Sequence, residues 1–87
     1  MQKTNQLLDL ITTEDYPYIN IGLTKQEFIE LKEFAKNNCF ILNKYEREDK
    51  WEYLYELEFL YKGKPVLIKH FKSYTSDYEY FLLRCEK

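Results

Sequence analysis

The sequence predicts an α+β fold: two N-terminal helices, a three-stranded antiparallel β-meander, and a C-terminal helix for which a fourth strand is the alternative. Three observations lead there. A capping box opens a helical pattern at Thr24, the hydrophobic period changes to two after residue 39, and Lys62-Gly63 sits between two alternating runs as a two-residue hairpin loop. At 87 residues with 45% hydrophobic and 18% aromatic content, the chain is expected to form a single domain, residues 1–87. Within it, residues 1–22 read as an N-terminal helix and connecting segment, and residues 23–87 as an α-β-β-β-α core. A chain this short buries little more than about 60% of its unfolded surface, so it depends on large side chains. It has nine Tyr, six Phe and one Trp.

Taken in order, Thr4 can cap a short helix reaching about Thr12, with Leu7, Leu8, Leu10 and Ile11 as its apolar residues. Residues 13 to 22 break the pattern at Pro17, which lacks an amide and pushes its predecessor out of the helical region. The second helix is expected from Lys25 to about Asn37. Thr24 and Glu27 form the capping box, Leu23 and Phe28 occupy staple positions, and Phe28, Leu31 and Ala35 make an apolar stripe beside Phe34. Asn37-Asn38 suits a stop, because Asn tolerates the left-handed conformation.

From Trp51 to Tyr61 the odd positions are aromatic or Leu, while Glu52, Leu54, Glu56, Glu58 and Leu60 fill the even ones, the alternation of a half-buried strand. A two-residue loop at Lys62-Gly63 places Phe59 opposite Val66, Leu57 opposite Ile68, Tyr55 opposite His70 and Glu56 opposite Lys69. A three-residue loop sets Leu57 against Lys69, so the shorter loop is preferred. A turn around Arg47-Glu48-Asp49-Lys50 brings Phe40 opposite Leu57 and Leu42 opposite Tyr55. The expected core face is then Phe40, Leu42, Tyr53, Tyr55, Leu57, Phe59, Val66 and Ile68, covered by the second helix. Ser76 with Glu79 reads as a second capping box before Tyr78, Phe81, Leu82 and Cys85 at helical spacing, which favours helix over strand for residues 76–86.

The residue inventory argues against catalysis. Cys39 and Cys85 lie far apart with no thiol near either, so neither zinc-ribbon spacing nor a disulfide framework is present, and reduced thiols are expected. His70 is the one histidine, and its expected role is structural, bonded to a tyrosine hydroxyl or water. Two glycines, Gly22 and Gly63, cannot assemble a phosphate-binding loop or a dinucleotide fingerprint. Glu56 and Glu58 share a strand face, but nothing in the sequence places them in a cleft. No cofactor, no metal site and no enzymatic activity are therefore expected. The longest apolar runs are four residues, Cys39–Leu42 and Tyr80–Leu83, too short for a signal peptide core or a membrane span, so a cytoplasmic, non-membrane protein is expected.

With a net charge of −2, no global positive field recruits nucleic acid. Charge is nevertheless segregated: residues 46–58 are acid-rich, whereas residues 59–75 carry Lys62, Lys64, Lys69 and Lys72 and no acid. The second sheet face mixes apolar residues, Leu54 and Phe71 among them, with glutamates, which is too apolar for a purely solvated face. Either a terminal helix covers it, or it binds a partner. The preferred reading is a small protein-binding module that occludes a surface on a host- or element-encoded protein target. Its candidate contacts are Tyr16, Tyr18, Tyr45, Trp51, Leu54, Phe71, Tyr74 and Tyr78, because tyrosine and tryptophan supply much contact area at low entropic cost. Lys, Tyr, Phe, Ile and Asn, whose codons are AT-rich, are abundant, and Gly, Ala, Arg and Pro are scarce. That skew points to a low-GC bacterium, a phage or a mobile element, where short tyrosine-rich inhibitors such as anti-CRISPR and immunity proteins occur. The alternative is a small nucleic-acid-binding regulator using Lys62, Lys64, Lys69 and Lys72. A homodimer through the second sheet face is a third possibility.

Overall fold

The computed structural model describes residues 2–13 and 18–86. Its elements are α1 (Gln2–Thr13), β1 (Tyr18–Leu23), α2 (Lys25–Asn38), β2 (Phe40–Glu48), β3 (Glu52–Tyr61), β4 (Lys64–Ser73) and β5 (Glu79–Glu86). The strands form one antiparallel sheet in the order β1-β5-β4-β3-β2. Both helices pack on the same side of it. Leu8 and Ile11 of α1 and Phe28, Leu31 and Ala35 of α2 join Tyr55, Leu57, Phe59, Tyr61, Val66, Ile68, Leu83 and Cys85 in one buried cluster. No helix of the described residues is long and apolar enough to cross a membrane.

The predicted three-stranded meander with a C-terminal helix is therefore replaced by a five-stranded sheet. Residues 79–86 are a strand, because Phe81, Leu83 and Cys85 alternate toward the core and pair with β4 from Val66↔Cys85 to Lys72↔Glu79. That pairing satisfies the outer backbone groups of β4, which a helix would have left to water. Ser76 does not cap a helix: its hydroxyl accepts from the Tyr78 amide at 3.3 Å in a local turn. Residues 18–23 are likewise a strand. Ile19, Ile21 and Leu23 face Cys85, Leu83 and Phe81 across the β1–β5 ladder, so the segment expected to be a connection is one of the sheet's two outer strands.

The β3–β4 hairpin has the predicted register, including Phe59↔Val66, Leu57↔Ile68, Tyr55↔His70 and Glu56↔Lys69. Lys62 and Gly63 both adopt positive φ, 50° and 80°, as a two-residue turn compatible with strand twist requires. The β2–β3 register differs. Lys44, not Phe40, lies opposite Leu57, and Glu46, not Leu42, lies opposite Tyr55, with a bulge between Ile41 and Asn43. Phe40 and Leu42 are consequently 70% and 42% exposed rather than core. The turn chemistry decides this register: the Asp49 carboxylate accepts from the Trp51 and Glu52 amides at 2.8 and 2.9 Å, and the Asp49 amide donates to the Glu52 carbonyl at 3.0 Å.

Helix α2 has the predicted capping box, with the Thr24 hydroxyl accepting from the Glu27 amide at 3.1 Å and the Thr24 amide donating to the Glu27 carboxylate at 2.8 Å. It ends on extended Cys39 rather than on a left-handed Asn. From there the chain crosses from the β1 edge to the β2 edge, with α2 touching β1, β2, β4 and β5 on the way. Helix α1 is held by the hairpin tip. Asp9 accepts from the Tyr61 hydroxyl at 2.7 Å and from Lys62 Nζ at 2.8 Å, and Lys64 Nζ donates to the Thr12 carbonyl.

Candidate functional site

Because side chains alternate across a strand, committing the odd-numbered residues of β3 to the helices fixes what the other face displays. Three of its cross-strand rows form its centre. The first is Tyr80–Phe71–Leu54–Arg47, the second Gly22–Leu82–Lys69–Glu56–Tyr45, and the third Asn20–Arg84–Leu67–Glu58–Asn43. Neither helix reaches this side. Among the described residues, a Cβ on Gly22 would meet no heavy atom within 4 Å.

The first row carries an aromatic cluster. Phe71 and Tyr80 are direct cross-strand neighbours whose rings stack at 5.4 Å, and the exposed Tyr78 ring closes on both, at 5.9 Å from Phe71 and 5.5 Å from Tyr80. Lys69 Nζ lies 5.7 Å from the Tyr80 ring centre. The β4–β5 loop sets Tyr78 in place: the Ser73 amide donates to its carbonyl at 2.9 Å. Beside this cluster, Asn43, Tyr45, Glu56, Glu58 and Leu67 line a shallow depression. Neither glutamate there has an ion-pair partner among the described residues, whereas Arg47 and Glu52 at the face's end pair at 2.7 Å.

The proposed contacts fall into three groups. Tyr18, Tyr45, Leu54, Phe71 and Tyr78 lie on the open face, with the Arg84 guanidinium 5.7 Å from the Tyr18 ring centre. Trp51 and Tyr74 sit together at one end of the sheet, where the Tyr74 amide donates to the Trp51 carbonyl at 2.8 Å and the Tyr74 hydroxyl bonds Glu48. Lys50 covers the Trp51 ring at 4.7 Å. Tyr16 lies outside the described residues. The four lysines do not share a surface. Lys62 and Lys64 are engaged by α1, Lys69 is on the open face, and Lys72 pairs opposite Tyr53 on the helix side.

Tyr80, Leu82 and Arg84 belong to the open face and are not among the contacts expected from the sequence, because residues 79–86 take the strand alternative rather than the favoured helix. The signal was present as a period of two in Phe81, Leu83 and Cys85, leaving Tyr80, Leu82 and Arg84 for the other side. His70 lies on the helix face, stacked on Phe81 at 4.2 Å, with Nε2 2.8 Å from a Glu79 carboxylate oxygen. That bond holds the Glu79 carboxyl below its ordinary range. Cys39 and Cys85 are both free thiols, and partial burial pushes the Cys39 thiol up, away from the reactive thiolate form. No family model, curated protein or solved structure matches the chain.

Proposed function

We propose that this chain is a small, non-enzymatic protein-binding module that occupies a surface on a protein partner through its open sheet face. The observation that supports the reading is the one-sided cover of the sheet. An aromatic cluster of Phe71, Tyr78 and Tyr80 stands on the uncovered side, bordered by Leu54, Lys69 and the depression at Glu56 and Glu58. This is the anatomy of an interface with an aromatic anchor and a charged rim. The partner it fits offers an apolar seat for the rings and a basic side chain for the two unpaired glutamates. In the AT-rich genetic setting that the composition suggests, such occlusion suits an inhibitor or immunity factor directed at a host- or element-encoded protein. The dispersal of Lys62, Lys64, Lys69 and Lys72 favours this reading over a nucleic-acid contact, which needs cations aligned along one surface.

The test is recovery of partners from lysate on the tagged chain, with and without nuclease, comparing the wild type with a Phe71→Ala/Tyr78→Ala variant whose fold is verified by circular dichroism. One stoichiometric protein that survives nuclease and is lost from the variant is expected, since anchor residues of this kind contribute about 2 kcal/mol or more each. Equal recovery by the variant removes the open face from the interaction. Recovery that collapses with nuclease transfers the function to nucleic acid.

A further inference from the structure

We infer that β2 is a self-pairing edge through which two copies of the chain join antiparallel strands, continuing the sheet from five strands to ten. The inference starts at the β2–β3 turn. The Asp49 amide donates to the Glu52 carbonyl, so Asp49 and Glu52 are a hydrogen-bonded pair of that ladder. Alternation then turns the amides and carbonyls of Arg47 and Tyr45 toward β3 and those of Glu48, Glu46 and Lys44 outward. No described strand lies beyond β2, and every residue of β2 is exposed. The stretch from Asn43 to Glu48 is regular, since the one irregularity, between Ile41 and Asn43, lies at its beginning.

Charge chooses the occupant and the register. In a twofold antiparallel pairing that keeps each face continuous, paired residues have the same parity, so the axis passes through a residue. An axis at Lys44 or at Arg47 sets like cations together, and one at Glu46 sets two carboxylates together. With the axis at Tyr45, Lys44 of each copy lies opposite Glu46 of the other, twice by symmetry, and Asn43 lies opposite Arg47. The two Lys44–Glu46 pairs use the outward backbone groups and form the new ladder's hydrogen bonds. The two Tyr45 rings meet at the axis, on the same side as the open face. Opposite charges directly across strands are favourable and like charges are not, so the strand is complementary to itself in this register. A long exposed edge is ordinarily a liability, and closed pairing with a second copy removes it.

The experiment uses the full chain in a concentration series by sedimentation or light scattering. The expected mass rises from 10.8 kDa toward twice that value. Lys44→Glu and Glu46→Lys, each alone, are expected to hold the protein monomeric, and the doubly exchanged Lys44→Glu/Glu46→Lys to restore the dimer. A Tyr45→Cys variant is expected to oxidise to a covalent dimer linked at position 45, read by peptide mass, while Arg47→Cys is not. A chain monomeric throughout the series overturns the inference, as does a dimer indifferent to both single exchanges, or a double exchange that stays monomeric while the Tyr45→Cys variant does not cross-link. The outcome is separable from the open-face reading, because a monomer that still binds its partner overturns the dimer alone.

Discussion

The Tyr55 hydroxyl is buried with no hydrogen-bond partner among the described residues, while its ring is well used. Phe28 meets that ring edge-on at 6.0 Å, and Lys32 Nζ stands 4.2 Å from its centre. Burial drives the Tyr55 hydroxyl's pKa upward, and Glu46 nearby adds to the effect. Tyr55→Phe removes an unsatisfied polar atom and keeps the ring contacts, so thermal denaturation of this variant is expected at or above the wild-type temperature. Phe59, fully buried beneath both helices, is the contrasting case: Phe59→Ala is expected to cost about 3–5 kcal/mol in denaturant unfolding. Asp9 sets a pH dependence. Its bonds from Lys62 and then from Tyr61 lower its pKa below 3.8, so its contribution is complete above that value and is lost as pH falls through the folded value. Amide protection in α1 is expected to fall in that acid range in the wild type and to be insensitive to it in Asp9→Asn. At this scale the sequence was most readable in the core, where Tyr55, Leu57, Phe59, Val66 and Ile68 are all buried. It was least readable for partners supplied by β5, where the sequence favours helix over strand, as with His70, which bonds Glu79 rather than a tyrosine or water.

Two segments with the same local signature behave differently as elements. Thr24 and Glu27 close both bonds of a capping box, whereas Ser76 and Glu79, with identical spacing, close neither because Glu79 turns to His70. Thr24→Ala is therefore expected to cost about 1 kcal/mol, and Ser76→Ala to leave the denaturation midpoint almost unmoved. A capping box costs little sequence to write, and whether it forms is decided by what the following residues can bury. Over 25–38 the apolar stripe fits a helix on a sheet, while over 79–86 the unpaired edge of β4 draws the chain into a ladder. The β3–β4 register was legible because a two-residue loop leaves a single pairing that matches apolar with apolar. The β2–β3 register was not, because it depends on Asp49 folding the turn and on a bulge that shifts the parity of Phe40 and Ile41.

In the molecule as a whole, the open face reads from the sequence as too apolar for plain solvation, and the sequence leaves open whether a terminal helix covers it. That depended on two facts of topology: both helices lie on one side, and the last element is a strand. β3 and β4, paired on both sides in the middle of the sheet, are expected to hold their amides longest in native-state hydrogen exchange. The outward amides of Lys44, Glu46 and Glu48 should exchange fastest within the sheet in dilute solution, and slow as the protein concentration rises if the edge self-pairs. The pairing of β1 with β5 carries a consequence for the order of synthesis. Of the five strands of this sheet, a ribosome makes β1 first and its partner β5 last, so Ile19, Ile21 and Leu23 wait for Phe81, Leu83 and Cys85 while the intervening strands emerge. The nascent chain thus carries an unsatisfied, strand-prone segment until β5 clears the exit tunnel, and closure of the sheet is a late, long-range event rather than a progressive one.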